Sequence, residues 1–409
     1  MAGVGVFGRA VRSVVPGARS TPRLDVLMAG FVGGTGGAST LMVRLSRALT
    51  GRGLRTGLAV PDFDSTEVLA RRCAEDGVAV VRTGGLAASY RTRPESIHRI
   101  AAASSFLLRQ DASLIHYHIS DHVMPLAFVR ALRLTRVPAA VATMHKAADS
   151  LERPTAESRA WAGLVPKRIA KVISVSRRNR EQQLEFGVPD EHVTVIHNGI
   201  SADAVAGDGM RARSALGIGE AEPIVLFLAR MAPEKRPVDL LEAFARLAPG
   251  MPAAHLVYAG TGVLDAELRQ AAQRAAGVEG RVHVLGHRYD VADLLNAATV
   301  WVLPTSREAF SVGVLEAMAA GCPIISTRIP GNEELLWDGE NALLVPVGDV
   351  DALAAALGRV LQDPSLRQRL SAAGCETAAH FSEDRMVDAH IRTYQEVLSV
   401  RGGPTWAAA

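Results

Sequence analysis

The chain has 409 residues, 48% of them hydrophobic, which is more than one hydrophobic core usually fills and ample for two. A formal net charge of +3 gives no electrostatic case for a nucleic-acid partner, and Cys73, Cys322 and Cys375, far apart and outside any Cys-x-x-Cys or Cys/His spacing, give neither a disulfide framework nor a zinc site. No uncharged apolar run approaches the roughly 18 residues that a membrane span needs, so a cytoplasmic protein is expected.

Residues 1–22 contain no acid and carry Arg9, Arg12 and Arg19. They read as a flexible basic arm, solvated or in weak peripheral contact with the inner face of a membrane. Beyond them, short runs of Val, Ile and Leu alternate with Ala/Leu/Arg stretches of helical length, the pattern of parallel sheets covered by helices on both faces. The expected class is α/β, as two facing Rossmann-like, doubly wound domains. The first, 23–200, is predicted to hold strands at Leu24–Ala29, Leu54–Val60, Val78–Val81, Ser113–Tyr117, Ala139–Thr143, Val172–Val175 and Val193–Ile196. Residues 201–222 turn into Gly, Ala, Ser and Asp without a sustained period and read as a linker. The second domain, 223–383, is predicted to hold strands at Ile224–Ala229, His255–Ala259, Val282–Leu285, Val300–Leu303, Pro323–Ser326 and Ala342–Val345, then helices over Asp349–Gln362 and Ser365–His380. A last helix, Asp384–Val400, is expected to return to the first domain. Ligands in such sheets sit beyond the carboxyl ends of the strands, which puts a cleft between the two domains.

The polar singularities of the sequence fall at those strand ends. Gly33-Gly34-Thr35-Gly36-Gly37 follows a strand and opens a helix, where missing side chains let backbone N–H groups approach an anion. As a dinucleotide fingerprint it fails at the third glycine, which is Ser39. His116 and His118 stand two apart on one face of a strand, and His145, with Lys146 after it, ends another. His116 reads as structural, whereas His118 and His145, nearer the loops, read as functional. Arg230 and Lys235 flank a strand-to-helix turn and suit a diphosphate. Only four residues of the chain are lysine (Lys146, Lys167, Lys171, Lys235), so a lysine here is some evidence of chemical need. The most specific feature is Glu308-x7-Glu316, running from a loop into an apolar helix. The N–H groups from Ser311 through Val312, Gly313, Val314 and Leu315 would meet a diphosphate, Glu316 would accept from a ribose diol, and Glu308 would reach a sugar. Gly260-Thr261-Gly262 and Pro330-Gly331-Asn332-Glu333-Glu334 are further candidate ligand loops.

Taken in order, these pieces, with Thr143-Met144-His145, Ser174-Val175-Ser176, Asn198-Gly199-Ile200 and the Asp338–Val345 tail, resemble the retaining GT-B glycosyltransferases of family 4 from about Leu24 to about Tyr394. The resemblance implies that Gly36, Gly37, Arg230 and Lys235 hold a donor diphosphate, Glu316 the ribose, and Glu308 the transferred sugar, with His118 on the opposite wall near the reacting carbon. It also implies a nucleoside-diphosphate sugar as co-substrate, a UDP-sugar such as UDP-GlcNAc or UDP-Glc being favoured, with no metal and no other cofactor. His145, Lys146 and Asn198 are placed on the acceptor and sugar side, and the loops 83–94 and 146–154 are expected to bind a small-molecule, lipid-linked or glycan acceptor. Three positions depart from the family pattern: Ser201 follows Asn-Gly-Ile, Pro330 replaces a glycine, and Ser311 follows Phe310. Rival readings are an NAD(P)-dependent oxidoreductase, with Asp62 at the end of the second strand, a nucleotide-sugar epimerase, and a catalytically silent sugar-nucleotide sensor. The first lacks the glycine pattern, the second is not expected to carry the Glu308/Glu316 pair, and the third would have lost Glu308 or His118.

Overall fold

A computed structural model describes residues 23–30, 36–60, 70–71, 73–83, 104, 111–119, 131–132, 139–146 and 155–400. The basic arm, Gly33 and Gly34, Asp62 and most of the expected acceptor loops (84–94 and 147–154) lie outside them.

In the first half β1 (Leu24–Gly30), α1 (Gly37–Gly51), β2 (Thr56–Val60), β3 (Ala79–Arg82), β4 (Ala112–Ile119), β5 (Ala139–Met144), α2 (Ala156–Arg168), β6 (Lys171–Ser174), α3 (Arg177–Glu185) and β7 (Val193–Val195) follow one another. The strands form a seven-stranded parallel sheet in the order β3-β2-β1-β4-β5-β6-β7. Its two faces bury different helices. Leu41, Met42, Leu45 and Leu49 of α1 meet Val26, Met28 and Leu58 on one side, and Trp161, Leu164 and Val165 of α2 meet Ile115, Tyr117 and Ile119 on the other. Each fully buried side chain of this kind contributes about 1.5–3 kcal/mol.

The second half holds α4 (Gly209–Leu216), β8 (Ile224–Leu228), α5 (Pro237–Leu247), β9 (His255–Ala259), α6 (Asp265–Arg274), β10 (Val282–Val284), α7 (Val291–Ala297), β11 (Val300–Leu303), α8 (Val312–Ala319), β12 (Ile324–Thr327), β13 (Leu343–Val345), α9 (Val350–Gln362), α10 (Pro364–Ala379) and α11 (Glu383–Val400). Its sheet has six parallel strands in the order β10-β9-β8-β11-β12-β13. Both strand orders reverse direction after the first strand of the half, and that switch point is where loops part to leave a crevice.

Residues 201–222 are more structured than their composition suggests. Asp208 caps α4 by accepting from the N–H groups of Met210 and Arg211, Gly217 ends it in the left-handed region at φ 68°, and Ala212 and Ile218 are buried in the second core. The crossings between the halves are Asn198–Ile200 and Phe381–Glu383, which lie side by side: Ile200 N–H donates to Phe381 O (2.9 Å) and Glu383 N–H to Ile200 O (3.0 Å). Gly199 permits this approach, since a Cβ there would stand 2.7 Å from Ser382 O. After crossing, α11 lays Met386, Val387, Tyr394 and Val397 into the first core, on the α1 side of the sheet.

Candidate functional site

The second sheet supplies a charged wall. After β8 the chain makes a short 3-10 turn, Pro233–Lys235, ended by Arg236, the one non-glycine residue with positive φ (51°) among the described residues. Lys235 Nζ donates to Glu308 Oε1, and the two side chains are only 15% and 11% exposed. Their loops are fastened to each other by Thr305, whose hydroxyl donates to Glu234 O (2.9 Å), and by Ser306 N–H on the same carbonyl (2.7 Å). Gly331 backs the Glu308 loop so closely that a Cβ would fall 1.9 Å from Glu308 O. Arg230, on the outer side, is exposed and donates to Glu234 Oε1 (2.8 Å). Each of the two cations is therefore paired with a carboxylate.

Two helix N-termini meet beside this pair. α8 begins at Ser311, whose hydroxyl accepts from Val314 N–H (3.4 Å) while Leu315 N–H returns to Ser311 O (3.3 Å). Val314 and Leu315, expected to offer their N–H groups to a diphosphate, spend them inside the helix; those of Val312 and Gly313 have no partner among the described residues. No side chain caps α1 at Gly36. Gly37 lies directly against Val312, its missing Cβ position 3.6 Å from the valine Cγ2. Two positive helix ends thus lie against each other, an arrangement that favours an anion beside them. One turn into α8, Glu316 is 12% exposed and accepts from Arg44 Nη2 of α1 at 2.6 Å. Its buried neighbours Val314, Leu315, Ala317 and Met318 agree with its reading as an inward-held carboxylate.

The first sheet supplies a neutral wall. Parallel register puts His118 beside Gly30 on one side and Thr143 on the other, at the carboxyl end of central β4. Its Nδ1 shares a hydrogen bond with His145 Nε2 (2.8 Å), and its Nε2 is buried with no partner among the described residues. His116, on the same face, uses both ring nitrogens, on Tyr394 Oη and Thr143 Oγ1, each at 2.7 Å, which fits its structural reading. His390 of α11 completes the group, 5.6 Å from His116 between ring centroids. Burial first, then the neighbouring rings, keep His116 and His118 well below the usual histidine range; burial lowers His145 to about 3 and His390 to about 4. These imidazoles are neutral and serve as hydrogen-bonding groups. Lys146, next to His145, is half-buried and gives its carbonyl to Asn179 Nδ2 (3.0 Å).

Other expected residues sit elsewhere in the cleft. Asn198 donates through Nδ2 to Phe310 O (2.8 Å), tying the crossing strand to the Glu308–Glu316 segment, with its Oδ1 buried and unpaired among the described residues. Glu334, in a loop read as a ligand loop, is spent between the domains: it accepts from Arg177 N–H at the start of α3 (2.7 Å) and pairs with His197 Nε2 (2.8 Å). The loop Gly260–Gly262 braces Arg230's turn, Met231 N–H donating to Thr261 O (3.1 Å). Sequence reasoning missed Arg44 and Thr305. Arg44 is one arginine of many on an amphipathic helix, and Thr305 carries no spacing signal. Among the described residues no three His, Cys, Asp or Glu side chains are grouped to hold a metal ion.

Comparison with known proteins matches residues 35–204 to the glycosyltransferase family 4 model and residues 210–377 to the model for glycosyl transferases group 1. The chain is 36% identical over 171 residues, 42% of its length and 49% of the relative's, to the lipopolysaccharide core biosynthesis glycosyltransferase LpsE of Rhizobium meliloti. It thus spans about half the length of that relative. It is 28% identical over 396 residues to the D-inositol 3-phosphate glycosyltransferase of Geodermatophilus obscurus, with 88% of this chain and 85% of the relative covered. Among solved structures, Anabaena HepE in complex with UDP and glucose superposes with a TM-score of 0.74 at 19% identity, over 90% of this chain and 98% of that one. With the two parallel sheets, these matches make the fold GT-B, and the chain belongs to the group 1, family 4 glycosyltransferases.

Proposed function

We propose that the protein transfers a sugar from a nucleoside-diphosphate donor to an acceptor hydroxyl, with retained anomeric configuration and without a metal. The observation that carries this reading is the meeting of two helix N-termini, Gly37 against Val312, beside the Lys235–Glu308 and Arg44–Glu316 pairs. The diphosphate would lie between the helix ends, taking the N–H groups of Gly37, Val312 and Gly313, with Arg230 and Lys235 as counter-charges. Each charge-assisted hydrogen bond of this kind contributes about 1.5–3 kcal/mol, and such contacts stabilise a leaving diphosphate without a bound cation. Glu316 would accept from the ribose hydroxyls. Glu308, freed of Lys235 when the ammonium turns to phosphate, would hold the transferred sugar, and His118 Nε2 would meet a sugar hydroxyl from the facing wall.

In the front-face route we favour, the bond from the anomeric carbon to the phosphate oxygen breaks, the bond to the acceptor oxygen forms on the same face, and the acceptor proton passes to the departing phosphate. A UDP-sugar is the favoured donor, supported by the UDP and glucose held by HepE. For the acceptor, the relative acting on D-inositol 3-phosphate supports a phosphorylated polyol or glycan, with Lys146 on that side. A cytoplasmic protein, in peripheral membrane contact through its basic arm, fits such chemistry. The test is calorimetric titration with UDP, GDP, ADP and NAD in the presence of a chelator, then donor hydrolysis with sugars of whichever diphosphate binds. One diphosphate binding without metal supports the reading; binding of NAD alone sinks it, and diphosphate binding without any turnover favours the silent sensor.

A further inference from the structure

Arg44 has so far entered only as the partner of Glu316, with no contact to the donor assigned to it, yet its guanidinium is hydrogen-bonded to the carboxylate assigned to the ribose. α1 and α8 start side by side, and Arg44 lies seven residues after Gly37, about two turns along and on the same helical face. Glu316 lies four residues after Val312, on the face of α8 that meets α1. That register brings Arg44 Nη2 to 2.6 Å from Glu316 Oε1 across the two domains, with both side chains more than four-fifths buried. The second guanidinium nitrogen, Nη1, is buried and has no hydrogen-bond partner among the described residues. Glu383, at the start of α11, feels the Arg44 charge without bonding to it. A buried cationic N–H left unpaired is costly, and it persists most readily where a ligand brings the missing acceptor.

We infer that Arg44 is a donor-binding residue: its free Nη1–H donates to a ribose hydroxyl oxygen while Glu316 accepts from the ribose hydroxyls. The inference rests on the proposed nucleoside-diphosphate reading. Its consequence is that the ribose subsite is built from both domains. Glu316 stands on the second and Arg44 on the first, so the nucleotide half of the donor bridges the cleft before any acceptor arrives. Arg44 also neutralises Glu316, and its planar fork holds the carboxylate with one nitrogen while offering the other to the ligand.

The test measures affinities of UDP, GDP and ADP, each with its 2′-deoxy and 3′-deoxy counterpart, on the wild-type chain and on Arg44→Gln and Arg44→Lys. The wild type is expected to prefer the ribose form over at least one deoxy form, and Arg44→Gln to shrink that preference about 10-fold or more, the deoxy form losing little. Arg44→Lys keeps a cation for Glu316 but lacks the second N–H; it is expected to melt with the wild type and still to lose the preference. Equal weakening of ribose and deoxy forms in both variants, or an intact preference in Arg44→Lys, overturns the assignment and leaves the nucleotide reading standing. Failure of all three diphosphates to bind the wild type overturns both.

Discussion

The two walls of the cleft are built from the same strand-to-helix material but hold opposite kinds of polar group. The second domain presents Arg230, Lys235, Glu308 and Glu316, each held in an ion pair: Arg230 with Glu234, Lys235 with Glu308, and Glu316 with Arg44 of the first domain. The first presents His116, His118, His145 and His390, which burial keeps neutral. On the reading proposed above, a charged wall would exchange partners with a diphosphate, each cation leaving its carboxylate for phosphate. A neutral, buried wall offers directional hydrogen bonds without changing charge, which suits sugar hydroxyls next to a departing anion.

The largest expected effect is on the charged wall. Lys235→Ala would remove the counter-charge proposed for the leaving diphosphate and leave Glu308 without its cation; turnover is expected to fall by about 100- to 1,000-fold. If steady-state kinetics show less than a tenfold change, the ammonium is structural. Next, Glu316→Gln retains shape but loses the ionised acceptor, so the donor KM is expected to rise about 10-fold or more with kcat changed less. An unchanged KM removes Glu316 from the ribose. On the neutral wall, His118→Ala is expected to lower kcat by about 10-fold with donor affinity nearly unchanged, because the sugar hydroxyl bond matters most in the transition state. A fully active variant would make His118 part of the same structural network as His116.

Stability, too, separates the walls by pH. His145 and His390 have native values of about 3 and about 4 against an ordinary 6.5, so below that value the unfolded chain binds protons that the native chain refuses. Stability is therefore full above 6.5 and falls on acidification, down to about 4 for His390 and about 3 for His145, by about 1.4 kcal/mol per pH unit for each histidine once fully engaged. Urea midpoints taken across that window check the slope, and His390→Leu should flatten it. A flat profile in the wild type would mean that the histidine wall is wet.

Much of this was legible in the chain. All thirteen strands stand within a few residues of their expected positions, because buried parallel strands must be short, apolar and β-branched and their helices must alternate with them. Glu316 was legible from the apolar residues around it. The helix α4 was not, although its own punctuation, Asp208 before and Gly217 after, was present in the sequence; a short helix with few apolar residues gives little periodicity. The free N–H groups of α8 were overcounted because the capping role of Ser311 depends on a side-chain rotamer.

Local chemistry in the sequence determined the class, the strand ends and the ionisable residues on them, because helix and strand periods, glycine and the rarity of lysine act over a few neighbours. Tertiary structure alone decided which of those groups touch. Arg44 and Glu316 are 272 residues apart, and Lys235 and Glu308 are 73 apart. His118 and His145 are only 27 apart but meet because β4 and β5 pair in one register. Such contacts follow from how two sheets stack their helices and how two domains close on each other, and sums over buried surface that no local pattern records set both.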